Sequence, residues 1–280
     1  MFKVEDNIID MKDVLVEVNK KNNPFTTFLL SKTVKATAPV YHWTTEEIAD
    51  SAVTLAEGGD APAYTKDSQD ILQNYLEIFA NTAVVSNTSQ YSSHLGISDL
   101  LAKEVDSKTK AIKRRIEKKL IHGQASFANG TYNTGGILEQ IHTDHKLTGA
   151  TFTGIEFENA VEKLYDAGVS DNMVAFLPAR MKKALVDSQE VVFLAREKFM
   201  GFDAEVYSSV FGTVTFLLTE ELGQDKMFIA NPDYIELPTL IPFHGQIEPV
   251  SGSKQSVYLE TQLGIALLNE KAAVSFTVTP

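Results

Sequence analysis

Apolar residues at Ile97, Leu100, Leu101, Val105, Ile112, Ile116 and Leu120 recur at spacings of threes, fours and sevens, in a stretch free of proline and internal glycine. That period lines one face of an α-helix and predicts a single long helix over 97–122. Ser98 is placed to cap its start, and Asp99 falls in the first turn. Lys118, Lys119 and His122 crowd the last turn, where cations complement the helix dipole. Gly123 reads as a left-handed terminator. At about 1.5 Å per residue the helix is roughly 35–40 Å long. Asp99, Glu104, Asp106 and Glu117 read as charges that serve the dipole or pair at i,i+4.

The pattern before this helix is different. Ile8, Met11, Leu15 and Val18 give one short amphipathic helix, stopped at Asn22-Asn23-Pro24 because proline disfavours a helical residue before it. Phe25, Phe28, Leu29 and Leu30 then form an apolar anchor. An arm of residues 1–35 cannot bury these side chains by itself, so it must lie on another surface. Residues 36–92 read as two extended segments, ATAPVYHWT and ILQNYLEIFANTAVVSNTS, the second with the alternation of a half-buried strand. Glu57-Gly58-Gly59-Asp60-Ala61-Pro62 is turn chemistry at the tip between them. A long two-stranded ribbon is marginal alone in water, which points to a partner surface.

After the helix, QASFANGTYNTGG reads as a mobile loop. Residues 151–241 read as a compact α/β unit. Thr153 and Glu156 form a capping box, Phe157, Val161, Leu164 and Tyr165 form the buried helix face, and Gly168 ends the helix. Met173–Leu177 is a continuous apolar strand, Pro178 opens a helix through Leu185, and Thr213–Leu218 and Met227–Ala230 are two more strands. Helix and strand alternate, which suggests a sheet with helices packed on it. Residues 245–280 return to β, with strands at Tyr258–Leu268 and Ala273–Val278. The class is α+β.

Composition narrows the function. The 280 residues allow one large domain or two smaller ones. There is no cysteine, which removes disulfides, thiolate chemistry and cysteine-based zinc sites. The N-terminal MFKVEDNIIDMKD is charged from the third residue, so no secretion signal is expected, and no apolar run is long enough to span a membrane. The net charge of −12 argues against a dedicated nucleic-acid binder. Its distribution is uneven. Residues 124–280 carry ten Lys and Arg against twenty Asp and Glu, whereas Ile97–His122 carries eight bases against four acids. Lys110, Lys113, Arg114 and Lys118 read either as a solvated face or as a docking surface for an acidic neighbour or DNA.

Candidate chemistry is sparse. The sequence has no phosphate-binding glycine loop, no nucleophile elbow and no His-Glu-x-x-His. His142-Thr-Asp-His145 is the nearest approach to a metal cluster, and it reads as polar side chains at the surface without a third ligand. No catalytic, cofactor-binding or metal-ligating residue is assigned, and no enzyme activity is expected. Trp43, the single tryptophan, reads as a packing anchor.

Arm, ribbon, long helix, glycine-rich loop, α/β unit and returning β-segment come in an order that resembles the tailed-phage major capsid proteins of the Hong Kong 97-type fold. Local motifs carry the likeness: Pro24-Phe25, Ala38-Pro39-Val40-Tyr41-His42-Trp43, Glu57-Gly58-Gly59-Asp60, Asn74-Tyr75-x-x-Ile78-Phe79 and Val84-Val85-Ser86-x-Thr88. Glu117-x-x-Leu120-Ile121-x-Gly123, Phe211-Gly212-x-Val214, Asn231-Pro232-Asp233 and Glu260-Thr261-x-Leu263 continue it. The resemblance implies an N-terminal arm (1–35), an extension loop (36–92), a peripheral domain (93–150 and 242–280) with its spine helix, and an axial domain (151–241).

It further implies self-assembly as hexamers and pentamers into an icosahedral shell around DNA, in a virion assembled in the host cytoplasm. Inter-subunit contacts are expected at Pro24, Phe25, Trp43, Glu57, Gly58 and Asp60. The arm is too short for a built-in scaffolding segment, so a separate scaffolding protein or none is expected, with a portal as a further partner. Lys66 is the single lysine of the ribbon, and no covalent cross-link between subunits is expected. An encapsulin-like nanocompartment shell and a soluble enzyme with a non-local site are the competing readings.

Overall fold

The computed structural model describes residues 23–48, 52–64, 66–91, 99–188, 195–249 and 252–279. The amphipathic segment expected at Ile8–Val18 lies outside them, as do Ile97 and Ser98.

The long helix runs Leu100–His122. Its cap is Asp99, whose Oδ1 accepts from the Ala102 amide at 3.0 Å, in place of the expected Ser98. That bond, with a second from Gln90, holds the Asp99 carboxyl below its ordinary range. Burial is uneven along the helix. Leu100, Leu101 and Val105 are half-buried, while Ile112, Ile116, Leu120 and Ile121 are fully buried. The helix is therefore core only toward its C-terminal end. Gly123 is not left-handed, since its φ is −56°. Glycine is needed there for close approach: a Cβ would overlap the carbonyls of Thr134 and Lys119. The Gly136 amide donates to the Gly123 carbonyl at 3.0 Å across the same contact.

Two sheets flank this helix. The first has the order Thr33–Lys35, Ile235–Ile247, Lys254–Leu263, Glu77–Ser86, with only the Thr33–Lys35 pairing parallel. Phe79, Ala83 and Val85 are buried on its inner face, while Ile78 and Val84 stand half-exposed on its outer face. The period of two places alternate residues on opposite faces. The expected single strand over 71–89 is broken at Leu76. Residues up to Tyr75 pair with the ribbon, and Glu77 onward pairs with Lys254–Leu263. Leu76 is fully buried between them; its amide donates to Pro39 O at 2.9 Å and its carbonyl accepts from Gln262 Nε2 at 3.0 Å.

The second sheet has seven strands, in the order Lys146–Gly149, Ala273–Val278, Lys226–Ala230, Met173–Leu177, Gly212–Leu218, Phe202–Ser209, Ala195–Phe199. Met173–Leu177 lies at the centre, and all five of its residues are buried. Its two faces meet different partners. Met173, Ala175 and Leu177 pack with Phe157, Val161 and Leu164 of helix Gly154–Asp166 and with Met181 and Leu185 of helix Ala179–Ser188. Val174 and Phe176 pack on the other side with Phe25, Phe28, Ile116 and Leu120. Thr153 caps the first of these helices through the Glu156 amide, and Gly168 follows its end at φ +69°. Tyr165, expected on the buried face, is 56% exposed.

Two expectations about organisation change. The last strand, assigned with residues 242–280 to the peripheral part, pairs instead with Lys226–Ala230 and Lys146–Gly149 inside the second sheet. Ile235–Ile247 belongs to the first sheet, so the unit read as 151–241 gives up its end and gains two outlying strands. The segment read as a mobile loop over 124–136 contains a hairpin, Ser126–Ala128 with Thr131–Asn133. Asn129 at φ 52° and Gly130 at φ 76° supply the two consecutive positive angles that a tight hairpin turn requires.

Candidate assembly surfaces

The residues singled out in the sequence fall in three places. The first is the short helix Pro24–Leu29. Phe25 was expected against a neighbouring subunit; it is fully buried in its own, edge-on to Phe176 at 5.0 Å and Phe228 at 5.2 Å. Pro24 is buried at the first turn of that helix, so neither is free to touch a neighbour. The helix starts without a side-chain cap from Asn23. Glu117 of the long helix fills that role. Its Oε1 accepts from the Phe25 amide at 3.1 Å, and its Oε2 accepts from the Thr26 amide at 2.6 Å and the Thr26 hydroxyl at 2.5 Å. Glu117 was read as surface charge, yet it is 0% exposed. Burial raises its pKa, and the three donated hydrogen bonds only partly offset that rise.

The second place is the ribbon. Val40–Glu47 pairs antiparallel with Ser68–Tyr75, and among the described residues no third strand joins them. Tyr41 and Trp43 share one face, with rings 6.1 Å apart, and Trp43 lies opposite Leu72. The Trp43 indole N–H is enclosed but finds no acceptor among the described residues. Ile71 is 73% exposed on the other face, and Val53, Leu55 and Tyr64 stand out along the tip. Glu57, Gly58 and Asp60 are exposed there as well. Gly58, at φ +79°, closes a turn in which the Gly59 amide donates to Ala56 O at 2.9 Å.

Among the described residues the ribbon is anchored at its root. Tyr41 donates to Glu236 Oε2 at 2.8 Å. Asn74 is 1% exposed; its Nδ2 donates to Ile265 O at 2.6 Å and Gly135 O at 2.9 Å, and its Oδ1 accepts from the Gly135 amide at 2.8 Å. Sequence reading gave Asn74 no role beyond a strand motif. Replacing it by alanine orphans the Gly135 amide and leaves the Gly135 and Ile265 carbonyls to Gln140 Nε2, and is expected to cost about 1–3 kcal/mol. Amide exchange at Val40–Trp43 should quicken more than exchange at Met173–Leu177. Uniform quickening would place Asn74 in the global core rather than at a root.

The third place is the exposed side of the long helix. Lys113 and Lys118 are exposed, Arg114 is half-exposed, and Lys110 pairs with Asp106 at 2.8 Å. Lys119 turns inward to Glu77 at 3.1 Å. His122 is half-buried against the Glu221 carbonyl at 2.8 Å, and burial lowers its pKa.

The remaining polar clusters are structural. His145 is buried with Nδ1 at 3.2 Å from Ala273 O, and burial lowers its pKa. His142 Nδ1 accepts from the Asp144 amide at 3.3 Å. Among the described residues no group of three or more His, Asp or Glu could hold a metal ion. Glu158 accepts from the hydroxyls of Tyr207 and Ser209, and burial first, then Glu158, pushes the Tyr207 pKa up to about 12. That tyrosine stays protonated and ties a strand to a helix.

A family model described as SU10 major capsid protein matches residues 2–280. The chain belongs to the SU10 major capsid protein family. It is thus a structural capsid protein of a bacteriophage virion and not an enzyme. Solved structures show the same fold. The capsid of cyanophage A-1(L) has a TM-score of 0.69 at 10% identity, covering 95% of each chain. The capsid of Myoviridae phage XM1 gives 0.63 at 14% identity, covering 100% of this capsid protein and 99% of that chain. The SrpI encapsulin of Synechococcus elongatus gives 0.65 at 10% identity, covering 95% and 92%. At such identities the likeness is one of fold, the Hong Kong 97-type α+β fold expected above. No curated protein sequence matches the capsid protein.

Proposed function

We propose that this capsid protein assembles head to tail into hexamers and pentamers that tile an icosahedral shell around phage DNA. The observation that carries the reading is the ribbon. It is a lone two-stranded sheet whose Ile71 and Tyr64 are 73% and 88% exposed, so its own subunit leaves its apolar surface in water. Laid over a neighbour, that surface is buried at a gain of roughly 25 cal/mol per Å². Such contacts join unlike patches, and around a ring they close by rotation. Trp43, Glu57, Gly58 and Asp60 are the contact residues on this reading, and Trp43 gains an acceptor for its indole N–H. The Val40–Tyr75 ribbon with its tip is the extension loop, and Leu100–His122 is the spine helix. Assembly takes place in the host cytoplasm, with a portal as a partner and either a separate scaffolding protein or none, and DNA is enclosed without sequence specificity.

Excising residues 52–64 tests this. The shortened chain is expected to keep the parent's thermal transition, because the tip adds nothing to the core, while closed shells vanish from electron micrographs. Closed shells formed without the tip, or a chain that no longer folds, would overturn the reading. The fold likeness to the SrpI encapsulin supports a second reading, a shell around protein cargo. Nuclease-protected DNA in purified particles separates the two.

A further inference from the structure

We infer that Asn81 closes the open edge of strand Glu77–Ser86 against pairing with the same edge of a second copy of this chain. The inference stands apart from the shell reading above.

Glu77–Ser86 is an end strand of the first sheet, and among the described residues no strand pairs with its second edge. The other end strands of the two large sheets are Thr33–Lys35, Lys146–Gly149 and Ala195–Phe199. They have three to five residues, and each carries a lysine. Short edges bearing lysine resist pairing with another chain. Glu77–Ser86 lacks both protections. It has ten residues, and its single charged side chain, Glu77, turns inward to Lys119. Ile78 and Val84 stand half-exposed along it. The long helix does not fill the space beside it: a groove of about 310 Å³ is lined by Glu77–Asn81 on one side and by Ala111, Ile112 and Arg115 on the other.

The register tells which backbone groups reach that edge. Ser86 lies opposite Lys254, and the Asn87 amide donates to the Ser253 carbonyl at 3.1 Å. Residues bonded to Lys254–Leu263 therefore alternate back from Asn87 through Val85, Ala83, Asn81 and Phe79. The N–H and C=O groups of Ile78, Ala80, Thr82, Val84 and Ser86 point the other way. Thr82 is the midpoint of this outward row. Antiparallel pairing of two copies about Thr82 sets each Thr82 opposite its counterpart, Ala80 opposite Val84 and Ile78 opposite Ser86, with no facing charges. Such pairing needs the Thr82 N–H at its centre, and Asn81 withholds it: the Thr82 amide donates to Asn81 Oδ1 at 2.9 Å. The same device recurs at the ribbon root. The Tyr75 amide, which also faces away from its paired strand, donates to Asn74 Oδ1 at 2.8 Å.

Asn81→Val removes the acceptor and keeps a good strand former. Sedimentation velocity on the full chain, kept below the concentration at which shells form, compares it with the parent. Two such amides meet in each pair of copies, so Asn81→Val is expected to dimerise about tenfold more tightly or better. The double variant Asn81→Val, Thr82→Pro should associate no more than the parent. Proline offers no N–H, and the ladder to Lys254–Leu263 does not use that of Thr82. An Asn81→Val chain that associates no more than the parent would overturn the inference. So would association that persists in the double variant, which traces it to exposed core and not to the edge. The parent supplies a test without substitution. Amide exchange at Thr82 should be slower than at Ala80 and Val84, whose N–H groups face the same edge, and equal rates at the three would refute the closure.

Discussion

Glu117→Ala is expected to lower subunit stability by about 3 kcal/mol or more and to release the arm helix. Three donors depend on this one carboxylate: the Phe25 amide, the Thr26 amide and the Thr26 hydroxyl. Each buried donor left without an acceptor costs about 1–3 kcal/mol. The first turn of a helix has no internal partners for its N–H groups, and alanine offers none. The urea midpoint should fall, and amide exchange at Phe25–Leu29 should quicken most. A variant with the parent's midpoint would show that the arm is held by its aromatic rings alone.

The same residue sets a pH dependence. Its folded pKa is raised above the ordinary 4.5, because burial outweighs the donated hydrogen bonds. The folded subunit therefore binds this proton more tightly than the unfolded chain does. Its contribution is greatest below pH 4.5 and declines as pH rises through the folded pKa, where ionisation costs more in the buried site. Glu117→Gln removes the titration. The difference in unfolding free energy between parent and Glu117→Gln should slope across that window and be flat below it. A difference that stays constant with pH would refute the assigned shift.

Phe25→Ala is expected to cost about 3–5 kcal/mol, the range for emptying an aromatic site in a packed core. The ring has edge contacts to both Phe176 and Phe228, which are stacked on each other at 4.9 Å. Removing it leaves a void against the central strand of the second sheet. The measurement is again a urea midpoint, with no change in the slope with urea. A cost below about 1 kcal/mol would return Phe25 to the surface role first read from the sequence.

Much of this was legible in the sequence. The long helix followed from its period, the ribbon tip from its glycines, and the central strand from its unbroken apolar run. Glu117 was misread because an acid on a basic helix looks solvated. A usable signal was present, since Ile116, Leu120 and Ile121 surround it on the helix surface. Asn129-Gly130 also carried its hairpin signal, hidden in a stretch rich in loop residues. The last strand was misplaced for a different reason. Its pairing with Lys146–Gly149 joins segments far apart in sequence, and no local pattern records which sheet a strand enters. Gly123 was read as a terminator because its partner in close approach, Gly136, lies beyond the hairpin. The burial of Pro24 and Phe25 needed the same long-range knowledge, since a short apolar anchor does not say whose core it enters.

The strand Met173–Leu177 has one further consequence. It is a party wall: one face belongs to the two flanking helices, the other to the arm and the long helix. Neither side can loosen without stripping the other of its lining. The body of the subunit is therefore stiff, and the part left free to flex is the ribbon beyond the root that Asn74 and Leu76 hold. A tile of this kind takes up curvature at its strap, not in its plate.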